Sequence, residues 1–115
     1  AEFREVMDDL LDAVTSPGAL DRTSDSPCGT MDGDTFARLV ALDGLVHSWD
    51  LATATGQQLA LPPAVVDAVS NFARGALTDE MRDGDTFKQP TNVDAAVGAI
   101  EQLAAFSGRK VPVAA

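Results

Sequence analysis

DTFARLVALDGLVHSWDLATAT, residues 34–55, is the stretch whose reading decides the fold. Turning at about 100° per residue, a helix of this sequence carries apolar side chains over more than half its circumference, as a helix central in a bundle does. Asp34 is placed to cap its start, and Gly56 to end it after Thr55. The stretch also holds the only histidine of the chain, His47, and the only tryptophan, Trp49, a residue expected in core packing.

Helical spacing continues on both sides. Phe3, Val6, Met7, Leu10 and Val14 fall on one face, with Glu2, Arg4, Glu5, Asp8, Asp9 and Asp12 mostly elsewhere, which predicts a helix over 2–15. Pro62-Pro63 supplies first-turn prolines for a third helix over 63–80, burying Val65, Val66, Val69, Phe72, Ala73, Ala76 and Leu77. Asp94 opens a fourth over 94–107 through Val97, Ile100, Leu103 and Ala104, and Gly108 closes it. Residues 16–34, rich in Pro, Gly, Ser, Thr and Asp, have no sustained period and predict a long loop, and 82–92 predict turns. No segment alternates as a strand does. The expected fold class is therefore all-α, an antiparallel helical bundle formed by one domain over residues 1–115.

The motif DGDTF occurs at 32–36 and again at 83–87. The flanks differ, and a calcium loop of the EF-hand type needs further oxygen ligands and a terminal Glu that neither copy has. Both read as turn and cap chemistry.

Eighteen acidic against eight basic residues leave a net charge of −10, which repels phosphate backbones and anionic membrane surfaces. Neither nucleic acid nor membrane is an expected partner. No apolar run reaches the ~20 residues of a membrane span, and the lone Cys28, expected in a loop, has no internal disulfide partner. A reducing, cytoplasmic setting fits this composition. The chain opens with Ala1-Glu2-Phe3 already inside a helical pattern, as expected of a trimmed or partial chain.

Within residues 34–55 the polar trio Asp43, His47 and Asp50 occupies one narrow sector with Phe36, Leu39, Val40, Val46 and Ala54, while Leu42, Leu45 and Trp49 lie in a neighbouring one. The trio is thus expected to face the core, where two carboxylates and an imidazole need partners. Asp43 and His47 stand four apart, so both side chains reach one point above the helix, as helical metal ligands do. The alternative is a buried polar network, with Asp43 accepting a hydrogen bond from His47 and the trio tying helices together. The chain then serves as a non-catalytic dimerisation or partner-binding domain.

The run LVHSWDLATATGQ, residues 45–57, resembles the signature of the actinobacterial maleylpyruvate isomerase-like proteins, relatives of the DinB/YfiT metal-binding superfamily. The upstream SPGALDRTSDSPCGTMDGDTF and the closing AAFSGRKVP resemble the same family. The resemblance implies a DinB-like four-helix bundle, of which this chain lacks the first two helices. It also implies a divalent metal, zinc or nickel, with the ligand role carried onto His47 and Asp43. In relatives of assigned activity the metal activates a low-molecular-weight thiol, mycothiol, for addition to a small electrophilic substrate, giving isomerisation or transfer. A further histidine ligand of the family lies on an earlier helix that has no counterpart here.

A central helix apolar over most of its surface, with two of its usual neighbours missing, leaves an apolar patch to cover. A homodimer is the expected solution.

Overall fold

The computed structural model describes residues 1–26, 29–82 and 87–112. Cys28 and most of the second DGDTF motif lie outside the described residues. Two compact units divide the chain, Ala1–Ala41 and Leu42–Ala115.

The first unit opens with α1, Glu2–Thr15, over the range its spacing predicts. No residue of α1 is buried, and its apolar face carries Phe3 at 77%, Val6 at 58% and Leu11 at 57% exposure. A 3-10 turn, Ala19–Asp21, follows.

The next element corrects the all-α expectation. Residues 16–34 hold an antiparallel hairpin, β1 Thr23–Ser26 and β2 Gly29–Asp32, paired Thr23↔Asp32, Ser24↔Met31, Asp25↔Thr30 and Ser26↔Gly29. The fold is mixed, with helices plus a two-stranded sheet, and is not the all-α DinB-like bundle that the periodicity and the resemblance implied. TSDS and GTMD escape a hydrophobic-pattern reading because neither strand buries a face. Backbone pairing holds them instead, helped by the Thr30 hydroxyl, which donates to Asp25 Oδ1 at 2.8 Å between directly opposed residues.

The helix α2, Gly33–Ala54, begins where β2 ends. Asp32, rather than Asp34, caps it: the Thr35 N–H donates to Asp32 Oδ1 at 2.8 Å. That bond, with a further one from the Thr35 hydroxyl, holds the Asp32 carboxyl below the usual carboxylate range. Asp34 instead pairs with Arg38 one turn on, at 3.0 Å. The Gly33 N–H donates to the Arg22 carbonyl at 2.7 Å. A Cβ there would run into the Ala19 carbonyl and lie 2.9 Å from Leu20 Cα, so the turn and the helix start meet only because position 33 has no side chain.

The second unit holds the core. Leu42, Leu45 and Val46 of α2 pack with Val69 and Ala73 of α3, Pro63–Ala76, with Leu77, and with Leu103 of α4, Ala99–Phe106. Leu61, Phe72, Phe87, Ile100 and Phe106 close around them, and Trp49 is also buried.

Helices α3 and α4 are shorter than their spacing predicts. Leu77 caps α3 and a 3-10 turn follows at Asp79–Met81. Asp94 caps only a turn, accepting the Ala96 N–H at 2.9 Å, so α4 starts five residues later, at Ala99. Gly108 does end α4, at φ +100°, with the Arg109 N–H donating to the Ala104 carbonyl at 2.9 Å. No helix among the described residues is long and apolar enough to cross a membrane.

Candidate functional site

Helical spacing brings Asp43, His47 and Asp50 together on α2, but on the solvent side. The His47 side chain is 62% exposed, that of Asp43 69% and that of Asp50 38%, which corrects both the core-facing expectation and the buried polar network. The buried face of α2 is the neighbouring sector of Leu42, Leu45 and Trp49, joined by Val46 from the edge of the trio's own sector. A helix apolar most of the way round has two faces to offer, and burying the one without two carboxylates avoids a desolvation cost of several kcal/mol, on the order expected for buried charge.

The trio is nonetheless ordered around the imidazole. His47 Nε2 lies 3.2 Å from Asp43 Oδ1, and Nδ1 lies 3.3 Å from Asp50 Oδ2. An imidazolium, with an N–H on each nitrogen, satisfies both contacts, and a neutral ring satisfies one. Asp50 is fixed from its other side by Arg109, which follows α4: Nε donates to Oδ1 at 3.2 Å and Nη2 to Oδ2 at 3.1 Å. Hydrogen bonding from Arg109 holds the Asp50 carboxyl below the usual carboxylate range, against the upward effect of partial burial, and His47 adds to the lowering. Arg109 is itself positioned by its backbone, whose carbonyl accepts the Thr91 hydroxyl at 2.5 Å.

Arg109 is the member of this cluster that the spacing of residues does not reveal. It stands 59 residues from Asp50, and its only sequence signal is a basic tail after Gly108.

The two carboxylates sit on opposite ring nitrogens, so they cannot converge on one ion with His47. Among the described residues no group of three or more His, Cys, Asp or Glu side chains is placed to hold a metal. One pair does fit. Two ligand atoms on a tetrahedral zinc, each about 2.0–2.1 Å from the ion, lie about 3.3 Å from each other, close to the Nε2 to Oδ1 separation of 3.2 Å. Asp50 on Nδ1 then occupies the place of the carboxylate that orients a metal-bound histidine through its other nitrogen.

Two relatives come from Mycobacterium tuberculosis. Uncharacterized protein Rv0738 of strain ATCC 25618 / H37Rv and uncharacterized protein MT0763 of strain CDC 1551 / Oshkosh are each 35% identical to this chain over 97 residues, covering 84% of it and 53% of their own length. The chain thus spans about half the length of the curated relatives it matches. No protein-family model matches it, and no solved structure does.

Proposed function

We propose that His47 and Asp43 supply half of a divalent-metal site, for zinc or nickel, and that Asp50, braced by Arg109, orients His47 for it. The observation that carries this reading is the 3.2 Å Nε2 to Oδ1 separation on an exposed helix face, with the second ring nitrogen already on a carboxylate. In this proposal a second copy of the chain supplies the other two ligands in a homodimer. Two chains of charge −10 repel each other, and a shared dication offsets part of that repulsion.

With four protein ligands a thiol would have to enter as a fifth ligand or displace one carboxylate, and the ion would then supply stabilisation of a thiolate at neutral pH. With the resemblance to mycothiol-dependent isomerases, this makes mycothiol the proposed cosubstrate and a small electrophile the proposed substrate of isomerisation or transfer. The lone cysteine supports placing the chain in the cytoplasm.

The test is metal analysis with sedimentation equilibrium, with and without zinc. About one zinc per two chains and a zinc-dependent dimer are expected, both lost in His47→Ala. Zinc uptake that ignores His47→Ala, or none in the folded protein, overturns the proposal.

A second reading, a non-catalytic association domain, is favoured by the exposed apolar face of α1. In that case self-association is independent of zinc.

A further inference from the structure

Every buried hydrophobic residue among those described lies at or beyond Leu42, so the first unit, Ala1–Ala41, shows no core of its own. Six of the eight large hydrophobic side chains left exposed among the described residues belong to it: Phe3, Val6, Met7, Leu11, Leu20 and Phe36. Apolar surface gathered on a unit without a core marks an interaction site.

The helix α1 concentrates that surface. Its 14 residues are at the length where an isolated helix is marginal in water. No side-chain bond caps its start, no basic residue stands in its last turn, and none of its residues is buried. Packing of an amphipathic face is what stabilises so short a helix, and the pattern shows which face would pack. Phe3, Val6, Met7, Leu10, Leu11 and Val14 form one stripe, about 16.5 Å long at 1.5 Å per residue. The backbone groups of α1 are taken up within the helix, so side chains alone are on offer. A second helix laid along the stripe, with apolar residues at the same spacing of three and four, is the matching shape.

Charge decides what kind of helix that is. The first unit has nine acidic side chains against three basic, a net −6 of the chain's −10. On the helical wheel Glu2 and Asp9 border the stripe beside Val6, Arg4 and Asp8 border it beside Leu11, and Glu5 and Asp12 stand behind. Every Lys and Arg of the chain is among the described residues, and none pairs with a carboxylate of α1. A second copy would set the same acidic side chains against its own, and an anionic membrane surface would be repelled in the same way. A helix with Lys or Arg beside its apolar stripe is attracted instead.

We infer that α1 is the docking face for a basic amphipathic helix of another protein, which packs its apolar stripe on Phe3, Met7 and Leu11 and sets its cations against Glu2, Asp8 and Asp9. The face is separate from the histidine cluster and needs no metal.

The probe is a synthetic Leu/Lys peptide patterned as an amphipathic helix, about 18 residues long so as to outspan α1. A scrambled peptide of the same composition and a Leu/Glu peptide of the same pattern are the controls. Each is titrated into the full chain in EDTA and followed by amide chemical shifts. Saturable one-to-one binding with the largest shifts at residues 2–15 is expected for the Leu/Lys helix, binding about tenfold weaker or less for the scrambled peptide, and none for the Leu/Glu helix. Phe3→Ala with Leu11→Ala should weaken binding about tenfold or more, the scale of the apolar area lost from the contact. Glu2→Gln with Asp9→Asn should weaken it and flatten its dependence on salt. All four side chains are exposed, so neither pair of changes touches the core. No saturable binding, shifts centred outside the first unit, equal binding of patterned and scrambled peptides, full affinity in Phe3→Ala with Leu11→Ala, or an unchanged salt dependence in Glu2→Gln with Asp9→Asn would overturn the inference. So would self-association through α1 before peptide is added, or adsorption of α1 to phosphatidylcholine vesicles.

Discussion

Arg109 grips Asp50 with two nitrogens, Nε and Nη2, at 3.2 and 3.1 Å, and so ties the segment after α4 to the C-terminal part of α2. The pair is partly screened, with side-chain exposures of 22% and 38%, which limits its worth to about 1 kcal/mol. Arg109→Gln should lower the unfolding free energy by about that amount in urea. In a double-mutant cycle with Asp50→Asn, most of the loss should appear as coupling between the two positions.

The same contact sets an acid dependence. A carboxyl whose folded pKa is depressed stabilises the fold above its unfolded value, about 3.9 for Asp, and loses that contribution as pH falls through the folded value. Asp50 is such a group, lowered first by Arg109. Wild type should therefore be more stable than Asp50→Asn at about pH 6, by less than about 1 kcal/mol after solvent screening, and the difference should shrink as pH falls below the ordinary Asp value. Urea midpoints of both proteins across that range are the check, and a constant difference would argue against the contact.

His47→Ala is predicted to leave stability almost untouched, within about 0.5 kcal/mol, because a side chain exposed to this degree leaves no buried partner behind. A core-facing histidine would have implied a loss of about 1–3 kcal/mol, the penalty for stranding a buried polar group. Thermal melts in the absence of metal separate the two.

Leu42→Ala should cost about 2–5 kcal/mol, since Leu42 is 1% exposed at the centre of the second unit's core. Phe3→Ala, at 77% exposure, removes a larger side chain for almost no loss of stability. If the α1 face associates, Phe3→Glu with Leu11→Glu should abolish self-association in sedimentation while the circular dichroism spectrum stays helical.

How far the sequence spoke depended on whether apolar side chains carried the message. The spacing of Phe3 to Val14 delimits α1 to the residue, and Gly108 marks the end of α4. The strands at 23–26 and 29–32 were illegible because Met31 is their only large apolar residue and their order comes from backbone pairing. The grouping of Asp43, His47 and Asp50 could be read from a helical wheel, but their outward direction could not. Leu42, Leu45 and Trp49 made an equally apolar neighbouring sector, and desolvation chose between the two. The Arg109 contact is a tertiary one, which leaves no periodic trace along the chain.

Gly33 offers a lever on the first unit of this chain. Its missing methyl is what lets the 3-10 turn, the hairpin and the first turn of α2 meet at one point. Gly33→Ala therefore acts as a wedge of atomic size, forcing the turn at Ala19–Asp21 off the helix start while leaving every core residue of the second unit unchanged in sequence. Whichever property follows that wedge belongs to the first forty residues, and whichever ignores it belongs to the remainder, so one methyl group can divide the molecule's behaviour between its two units without cutting the chain.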